Sequence, residues 1–319
     1  MPLPAELDTT PRIADESAEG KLAKGAAKAL SQASQGKTTA AVLELGEQTI
    51  DYLLPGLGAN LPEWAKHIEI EAGAYENNAP RWSVLGVFPL FETDDLQNTF
   101  FTQISQQRYR MLGVTRDVTN AGLGYRRLLF NNAVLVGVNG FYDYGWKYHH
   151  QRASAGAEVK WAGLDLSSNY YWRISGTHSA GDNSFEDVLD GHDVRLAAQV
   201  PFVPWARVQG RRYWWSVDQS SEDIKGWEVG FEADIHQNLR FEAGLVGDNY
   251  IEDDNNNEGY VRFAWTMDLQ RPVAMSSEVL SKSPWLMRDM SEYRLDKVKR
   301  ENRIIVERFS TGVVITRGN

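Results

Sequence analysis

Residues 134–175 read VLVGVNGFYDYGWKYHHQRASAGAEVKWAGLDLSSNYYWRIS, and this stretch determines the fold of the whole chain. In its first segment every second position from Val134 to Trp146 is apolar, glycine or aromatic, and the positions between them include Asn139 and Asp143. Successive side chains of a β-strand point to opposite faces, so this period of two predicts a strand with one apolar face and one mixed face.

The same alternation returns twice before the stretch ends. Apolar positions from Ala153 to Trp161 alternate with small or charged ones, and a third set runs from Leu164 to Ile174. Aromatic residues gather where the strands approach polar connections, which is the level at which a bilayer interface favours amphipathic rings. The pattern predicts a barrel with lipid outside and water inside.

Twelve such segments follow one another along the chain. Their predicted ranges are 67–75, 81–91, 98–108, 117–128, 132–146, 151–161, 163–175, 191–200, 206–215, 226–236, 239–248 and 258–268. Some connections are very short (Ala162, and Gln237-Asn238), whereas those after the seventh, ninth and eleventh segments are long and polar. Short turns alternating with long loops are typical of outer-membrane barrels. We therefore predict an all-β membrane protein, a 12-stranded antiparallel outer-membrane β-barrel over residues 61–269.

Charge and cysteine content exclude several classes of function. The chain has 33 Lys and Arg against 43 Asp and Glu, a net charge of −10, which argues against nucleic acid as a partner. It has no cysteine, so disulfides and thiolate ligands are excluded. No run approaches the roughly 18 apolar residues of a membrane-spanning helix, whereas only alternate residues of a barrel strand meet lipid.

The segments before and after the barrel carry their own signals. We interpret residues 1–60 as a periplasmic leader, in which 38–54 have helical apolar spacing and predict a short amphipathic helix. Ser283-Pro284 predicts the start of a helix over 283–300, followed by extended segments around Thr311-Gly312. From residue 285 onward the tail has eight basic and five acidic residues. It can pair with acidic residues of the lumen or lie solvated in the periplasm, and the residues alone leave both open.

Several motifs resemble the translocator barrel of the intimin and invasin adhesins, the inverse autotransporters of type V secretion. The resemblance covers roughly residues 60–310, and its most specific parts are the FYDY and NRIIVER stretches. Further matching segments are WAKHIEIEAG, FFTQISQQRY, AGLGYRRLL and DVLDGHDVRLAAQVP. The resemblance implies that the chain after the last strand returns through the pore as a helix and extended linker and carries a C-terminal passenger to the cell surface.

By this resemblance residues 270–319 form the pore-threading helix and linker that leads to a passenger. The residues expected to thread the pore are Trp285, Tyr293, Arg300, Asn302, Arg303, Ile304, Glu307 and Arg308. The chain departs from the family pattern in two ways: no peptidoglycan-binding module is evident before the barrel, and Asn319 stands where Ig-like passenger domains would begin. Adhesion itself is therefore not predicted from these residues. A plugged outer-membrane channel or structural barrel with no passenger is the alternative.

The alternation also sorts side chains between the lumen and the lipid. The predicted lumen-facing charges, which form cross-strand ion pairs, are Glu158, Arg173, Arg195, Arg207, Arg211, Glu228, Glu232, Arg240, Glu242 and Arg262. The predicted aromatic girdle on the lipid face comprises Tyr142, Tyr144, Trp146, Trp161, Trp172, Trp227 and Trp265.

Two enzymatic interpretations were weighed against the barrel pattern. A phospholipase needs a Ser–His pair facing the bilayer, but the alternation places Ser154 in the lumen and His149-His150 in a loop. A rim protease using His192-Asp193 or Asp218 with Glu222-Asp223 rests on pairs that acidic loops produce by chance. We therefore predict no enzyme and no catalytic residues.

No cofactor or metal is expected. The acidic run 252–257 lacks the spaced ligands and glycine of a calcium loop, so a solvated loop is favoured. The expected partners are outer-membrane lipid and lipopolysaccharide, the barrel-assembly machinery, periplasmic chaperones and a passenger in cis, with a monomeric barrel. We expect the bacterial outer membrane as location, with the C-terminus at the cell surface.

Overall fold

A computed structural model describes residues 67–76, 78–181, 183–218, 222–249, 257–266, 274–275, 280–285 and 287–310. All of them belong to the second of two compact units, which begins at Pro62. The predicted N-terminal leader and its amphipathic helix over 38–54 lie outside the described residues, as do the Thr311-Gly312 turn and most of the acidic run 252–257. No described helix is both long and apolar enough to cross a membrane.

The described strands number fifteen in chain order. They are β1 (Ile68–Tyr75), β2 (Arg81–Glu92), β3 (Asn98–Met111), β4 (Val114–Leu129), β5 (Val134–Gly145), β6 (Gln151–Trp161), β7 (Leu164–Arg173), β8 (His178–Gly181), β9 (Ser184–Val188), β10 (Asp190–Val200), β11 (Val203–Ser216), β12 (Ile224–His236), β13 (Leu239–Asp248), β14 (Asn257–Thr266) and β15 (Val306–Ser310).

Twelve of these strands, β1–β7 and β10–β14, close into an antiparallel barrel in which β1 pairs with β14. Each matches one of the twelve segments predicted from the alternation, so the prediction of a 12-stranded barrel is confirmed. Closure leaves no unpaired barrel edge, which a bilayer requires because lipid cannot satisfy free backbone groups.

The connections sort to the two ends of the barrel. One end, the short-turn end, carries connections such as 130–133, 162–163, 201–202 and 237–238. The opposite loop end carries 174–189, 217–223 and 249–256. One loop-end connection is nevertheless short: Leu112-Gly113 joins β3 to β4 with both residues at positive φ, 51° and 72°. Such a turn matches the twist of the flanking strands.

The barrel wall exposes apolar side chains and buries polar ones. Alternate residues with apolar side chains are exposed on the outside, for example Leu123, Val138 and Leu166 at 62%, 56% and 47%. The intervening polar and charged residues, among them Asn120 and Asp143, are fully buried inside. This distribution is the one that lipid outside and a filled polar lumen select.

The long connection between β7 and β10 folds on itself. Within it β8 and β9 form a hairpin, and β15 from the far end of the chain adds to β9 as a third antiparallel strand. The C-terminal segment therefore meets the loop end of the barrel.

Candidate functional site in the barrel lumen

The segment 287–310, called the linker below, runs through the lumen from the short-turn end to the loop end. At the short-turn end the Met290 amide donates to the Asn132 carbonyl at 2.9 Å. At the loop end Arg308 donates to the carbonyl of Leu112, in the β3–β4 turn, at 3.3 Å. The lumen is therefore crossed over its whole length by the chain's own C-terminal segment.

The helix predicted over 283–300 is wrong. The described part of this range contains one 3₁₀ turn, Met290–Tyr293, capped by the Asp289 side chain, and otherwise consists of turns, bends and irregular backbone. Side chains of the barrel wall form hydrogen bonds with the linker backbone at the end of this range and just beyond it. These hydrogen bonds join Gln103 to the Val298 amide, Asn169 to the Lys299 carbonyl, Tyr171 to the Glu301 amide, Arg152 to the Glu301 carbonyl and Asn120 to the Asn302 carbonyl. Wall contacts that satisfy the backbone compete directly with helix formation.

The central anchor is an ion pair between linker Arg300 and Asp143 of β5. The guanidinium donates to both carboxylate oxygens at 2.9 and 2.7 Å, and both side chains have no exposed surface. Arg152 donates to the same carboxylate at 2.8 Å, and Asn120 does so at 2.7 Å. The carboxylate thus holds one cation of the wall and one of the linker, in a bidentate geometry that favours arginine.

Asp143 is the acidic residue of the FYDY motif. The strand alternation turns its neighbours Tyr142 and Tyr144 outward and Asp143 inward. At one level of the wall, the motif therefore places two aromatic rings towards the lipid and one carboxylate towards the linker.

Nearer the short-turn end the linker cations meet wall carboxylates. Lys297 donates to Glu71 at 3.1 Å and also contacts Glu69, while Lys299 pairs with Glu232. Two further pairs join Lys160 to Asp296 and Arg294 to Glu92, both at 2.7 Å. The basic tail therefore lies in the lumen against acidic residues, which resolves the two placements that the sequence left open.

Beside the central anchor lies a second cluster built on Glu301. Its carboxylate accepts from Arg303 at 2.8 Å and from Arg211 of β11 at 3.0 Å. Arg211 also donates to Asp193 of β10 at 2.8 Å. The linker thereby supplies a carboxylate as well as cations, so no arginine of this cluster is buried without an opposite charge.

At the loop end the carboxylate of Glu186 in β9 forms a clamp. It accepts hydrogen bonds from Arg116 at 2.9 and 2.7 Å and from linker Arg308 at 2.9 Å, and His150 lies 3.0 Å away. Burial alone would raise the pKa of Glu186, but the hydrogen bonds from His150, Arg116 and Arg308 outweigh it and lower that pKa to about 2. The clamp joins the loop hairpin, the wall and the linker.

Apolar contacts continue between the polar ones. Met290 packs with Leu128 and Leu135, and Leu295 and Val298 belong to a buried cluster with Phe101. Near the loop end Ile304 and Val306 pack with Tyr109, Val118 and Val188. The linker therefore contacts the wall through buried apolar side chains as well as through ion pairs.

The linker leaves part of the lumen unfilled. Its backbone bonds go to β3, β4, β6 and β7, and on the other side a cavity of about 680 Å³ separates it from wall residues that include Arg81, Tyr213, Tyr260 and Arg262. The backbone of the linker is therefore bonded to one half of the wall, whereas its contacts with β1, β11 and β12 are made by charged side chains.

The structure places most predicted lumen charges inside the barrel. Glu158 pairs with Arg126, Arg195 with Glu228, Arg207 with Asp165, Arg211 with Asp193, Arg240 with Asp234, and Arg262 with Glu228 and Glu242; Glu232 binds Lys299. Arg173 differs, because β7 ends there: it lies half-exposed at the rim, beside Asp190 and Asp218.

The predicted linker residues divide similarly. Tyr293, Arg300, Asn302, Arg303, Ile304, Glu307 and Arg308 lie along the linker. Trp285 does not thread the pore: it is 44% exposed and lies against Gly163 in a turn of the short-turn end. The reason is that the preceding residue, Pro284, is held there by the amide of Phe202 at 3.1 Å.

The predicted girdle residues lie on the outward-facing positions of their strands. These are Tyr142 and Tyr144 in β5, Trp161 in β6, Trp172 in β7, Trp227 in β12, Trp265 in β14, and Trp146 directly after β5. Trp146 donates its indole N–H to Thr119 at 2.8 Å and packs edge-on against Tyr144.

Two residue pairs of the enzymatic interpretations, Ser154 with His149 and His192 with Asp193, lie on opposite sides of the wall. Ser154 accepts from Arg300 at 3.0 Å in the lumen, whereas His149 contacts Tyr144 on the outside. His192 is exposed on the lipid face, and Asp193 is buried in the lumen. In the described residues no group of three or more His, Asp or Glu is placed to hold a metal ion.

Residues 25–302 match the sequence model of the family "Inverse autotransporter, beta-domain". The inverse autotransporter adhesin YeeJ of Escherichia coli (strain K12) is 30% identical over 234 residues, 69% of this chain and 9% of that protein. Invasin of Yersinia enterocolitica is 30% identical over 113 residues, 35% of this chain and 13% of that protein. The chain thus spans a small fraction of both relatives. A barrel solved in work on in-meso crystallization of membrane proteins superimposes with a TM-score of 0.59 at 20% identity, covering 76% of this chain and 99% of that one.

Proposed function

Because this chain belongs to the inverse autotransporter family, whose β-domain it contains, we propose that it anchors a C-terminal passenger in the outer membrane and exports it through its own lumen. The chain is an outer-membrane β-barrel. In the proposed organisation residues 61–269 form the barrel, 270–319 form the linker, and 1–60 form the periplasmic leader.

The observation that carries the proposal is the path of the linker. It is bonded to Asn132 at the short-turn end and to Leu112 and Glu186 at the loop end. Short turns face the periplasm in outer-membrane barrels and long loops face outward. In this orientation Ser310 lies at the end of the barrel that faces the cell exterior, and the proposal is that a passenger follows on that side.

The proposed role is not enzymatic. Ser154, the candidate nucleophile of the phospholipase interpretation, accepts a hydrogen bond from Arg300, and the strand alternation places it in the lumen, away from the lipid. The contacts of the lumen are ion pairs and packing that serve to hold a peptide segment. The expected partners are correspondingly a passenger in cis, periplasmic chaperones and the barrel-assembly machinery.

The experiment is to label a short epitope placed after Asn319 on intact cells that express the chain with an export leader. The same epitope inserted after Gly176, in the long loop-end connection, is the positive control, and one between Gln237 and Asn238 is the negative control. Labelling of the C-terminal and Gly176 epitopes alone supports the translocator. Labelling of the C-terminal epitope only after the outer membrane is opened rejects it.

A permanently plugged channel or structural barrel is the second candidate. It is favoured by the buried Arg300–Asp143 pair, which attaches the linker to β5 inside the lumen. A small-solute channel should conduct ions in a planar bilayer with the full linker in place, whereas a plugged translocator should conduct only after the linker is removed.

A further inference from the structure

The lipid-facing surface near the loop end carries two cations that form no ion pair within the described part of the chain. Arg212 of β11 and Lys225 of β12 occupy exposed, outward positions, since their sequence neighbours on both sides are buried in the lumen. No carboxylate among the described residues lies within ion-pair distance of either side chain. By contrast, the outward Arg108 donates to Asp117 at 2.7 and 2.9 Å.

Aromatic residues interleave with these two cations. In the register of β11 and β12, Arg212 lies opposite Trp227 and Trp214 lies opposite Lys225. The four side chains therefore form a square with the cations on one diagonal and the indoles on the other. The Arg212 guanidinium lies 5.7 Å from the ring of Trp214.

The arrangement extends onto β10 and β7. The ring of His192 stacks on Trp214, with centroids 4.7 Å apart at 16°, and on Tyr170 at 6.3 Å and 4°. We call these six residues (Tyr170, His192, Arg212, Trp214, Lys225 and Trp227) the cation–aromatic patch. It covers four neighbouring strands at one level of the wall.

Towards the middle of the barrel the patch borders an apolar surface. The adjacent outward positions on β7 and β10 are Ser168 and Val194. Beyond them, and on β12 and the neighbouring β13, lie Leu166, Leu196, Val229 and Leu245, all exposed by 47–52%. Among them Gly210 leaves open space, because a β-carbon there would have no neighbour within 4 Å. A ligand on this patch thus meets charge and rings at one end and a smooth hydrocarbon surface at the other.

This combination has the polarity of a phospholipid or glycolipid with a phosphate headgroup. A lone arginine on the lipid face is unfavourable at the midplane and much less so near the interface. A phosphate removes that cost, since guanidinium and phosphate form paired hydrogen bonds, and anionic headgroups attract clustered Lys and Arg. Indole and phenol rings favour the same interfacial depth.

We propose that the cation–aromatic patch binds the phosphate group of a lipid in the outer leaflet, with the acyl chains lying over Gly210 and its apolar neighbours. The leaflet follows from the orientation given under Proposed function, on which this part rests. Binding of the phosphate-bearing lipid itself depends only on the patch.

Native mass spectrometry of the full chain in detergent tests the proposal with three probes: a bisphosphorylated glucosamine-disaccharide lipid, its dephosphorylated counterpart, and inorganic phosphate. The test variant is R212Q/K225Q. The matched control is R108Q/R127Q, which also removes two outward-facing cations but leaves the patch intact. The heat-modifiable gel shift of each variant verifies that the barrel is folded.

We expect the affinity for the bisphosphorylated lipid to fall at least tenfold in R212Q/K225Q and less than twofold in the control. Equal affinity in the two variants overturns the proposal, as does equal binding of the dephosphorylated lipid. Competition by inorganic phosphate at the lipid's own affinity would overturn the choice of a lipid ligand. The affinity ratios between these variants do not depend on passenger export. If the epitope experiment fails, the expected ratios stay the same, and only the assignment of the patch to the outer leaflet is lost.

Discussion

Arg300 and Asp143 are 157 residues apart in sequence, and they form a bidentate ion pair in the lumen with no exposed surface on either side chain. Arg152 shares the Asp143 carboxylate. Asp143 belongs to the FYDY motif of the wall, and Arg300 lies two residues before the NRIIVER motif of the tail. The ion pair therefore joins a wall residue within one of these motifs to a linker residue beside the other.

Neutralising Asp143 should be more damaging than neutralising Arg300. D143N leaves both Arg300 and Arg152 buried without a carboxylate, whereas R300Q leaves Asp143 paired with Arg152. Breaking a buried ion pair costs about 3–5 kcal/mol. We expect limited proteolysis to release the linker faster in D143N than in R300Q, and faster in R300Q than in the wild type. Equal release rates in all three would show that the pair does not hold the linker.

Reversing the charges that face Lys297 should open the lumen. E69K/E71K places three ammonium groups where Lys297 now has two carboxylate partners, and repulsion displaces the linker from β1. Single-channel recordings in planar bilayers should show larger conductance and more frequent opening than the wild type. R127Q, a change on the outer surface, is the control. A closed pore in E69K/E71K would contradict this expectation.

The Glu186 clamp should persist to acid pH. The folded pKa of Glu186 is about 2, below the ordinary value of 4.5, so the carboxylate is more acidic when clamped. A group with a lowered folded pKa stabilises the folded state above its unfolded pKa and loses that contribution as pH falls towards the folded value. We expect a fluorophore attached at Ser310 to report a fixed environment from pH 7 down to about 5 and progressive release between about 4.5 and 2.

The variant E186Q provides the matching control for the clamp. It keeps the shape of the side chain and cannot ionise, so Arg116 and Arg308 lose their shared counter-charge. The fluorophore should report partial release in E186Q at every pH, without a transition in the acid range. A wild-type transition near pH 6 would indicate that another group controls the clamp.

A charge at the midplane of the outer surface should destabilise the barrel. Phe231 faces outward near the middle of β12, and F231R should cost about 2–4 kcal/mol, whereas S216R, at the loop-end terminus of β11, should cost about 0–1 kcal/mol. The urea dependence of refolding into lipid vesicles measures the difference. Equal stability of the two variants would argue against a bilayer around the strands.

The strands could be predicted from the sequence because lipid and lumen impose one rule on every wall residue. In β5 and β12 that rule gives strict alternation, and twelve segments follow from it. It also places Asp143 in the inward row, between two outward tyrosines, although Asp143 was not among the predicted lumen charges. An acidic residue in that position, flanked by girdle aromatics, is the signal that could have identified it.

The linker conformation could not be predicted by the same means. Its apolar spacing and Ser283-Pro284 indicate a helix, but the hydrogen bonds that decide the outcome come from residues such as Gln103 and Asn169, more than a hundred positions away. The role of Glu186 could likewise not be predicted, because this residue lies in the polar connection between β7 and β10. Its role depends on Arg116, His150 and Arg308 converging from three other parts of the chain.

The pairing of β15 with β9 has a mechanical consequence. The two strands are antiparallel, with Val306 opposite Val188 and Ser310 opposite Ser184. β9 continues into the barrel wall from its Val188 end, whereas a tensile force on the C-terminus would act at Ser310, the opposite end of the pair. The force then loads the interstrand hydrogen bonds in shear, so that they share it, instead of unzipping them one at a time. In the proposed orientation, a force applied from outside the cell would act on this shear-loaded sheet before it acted on the ion pairs of the lumen.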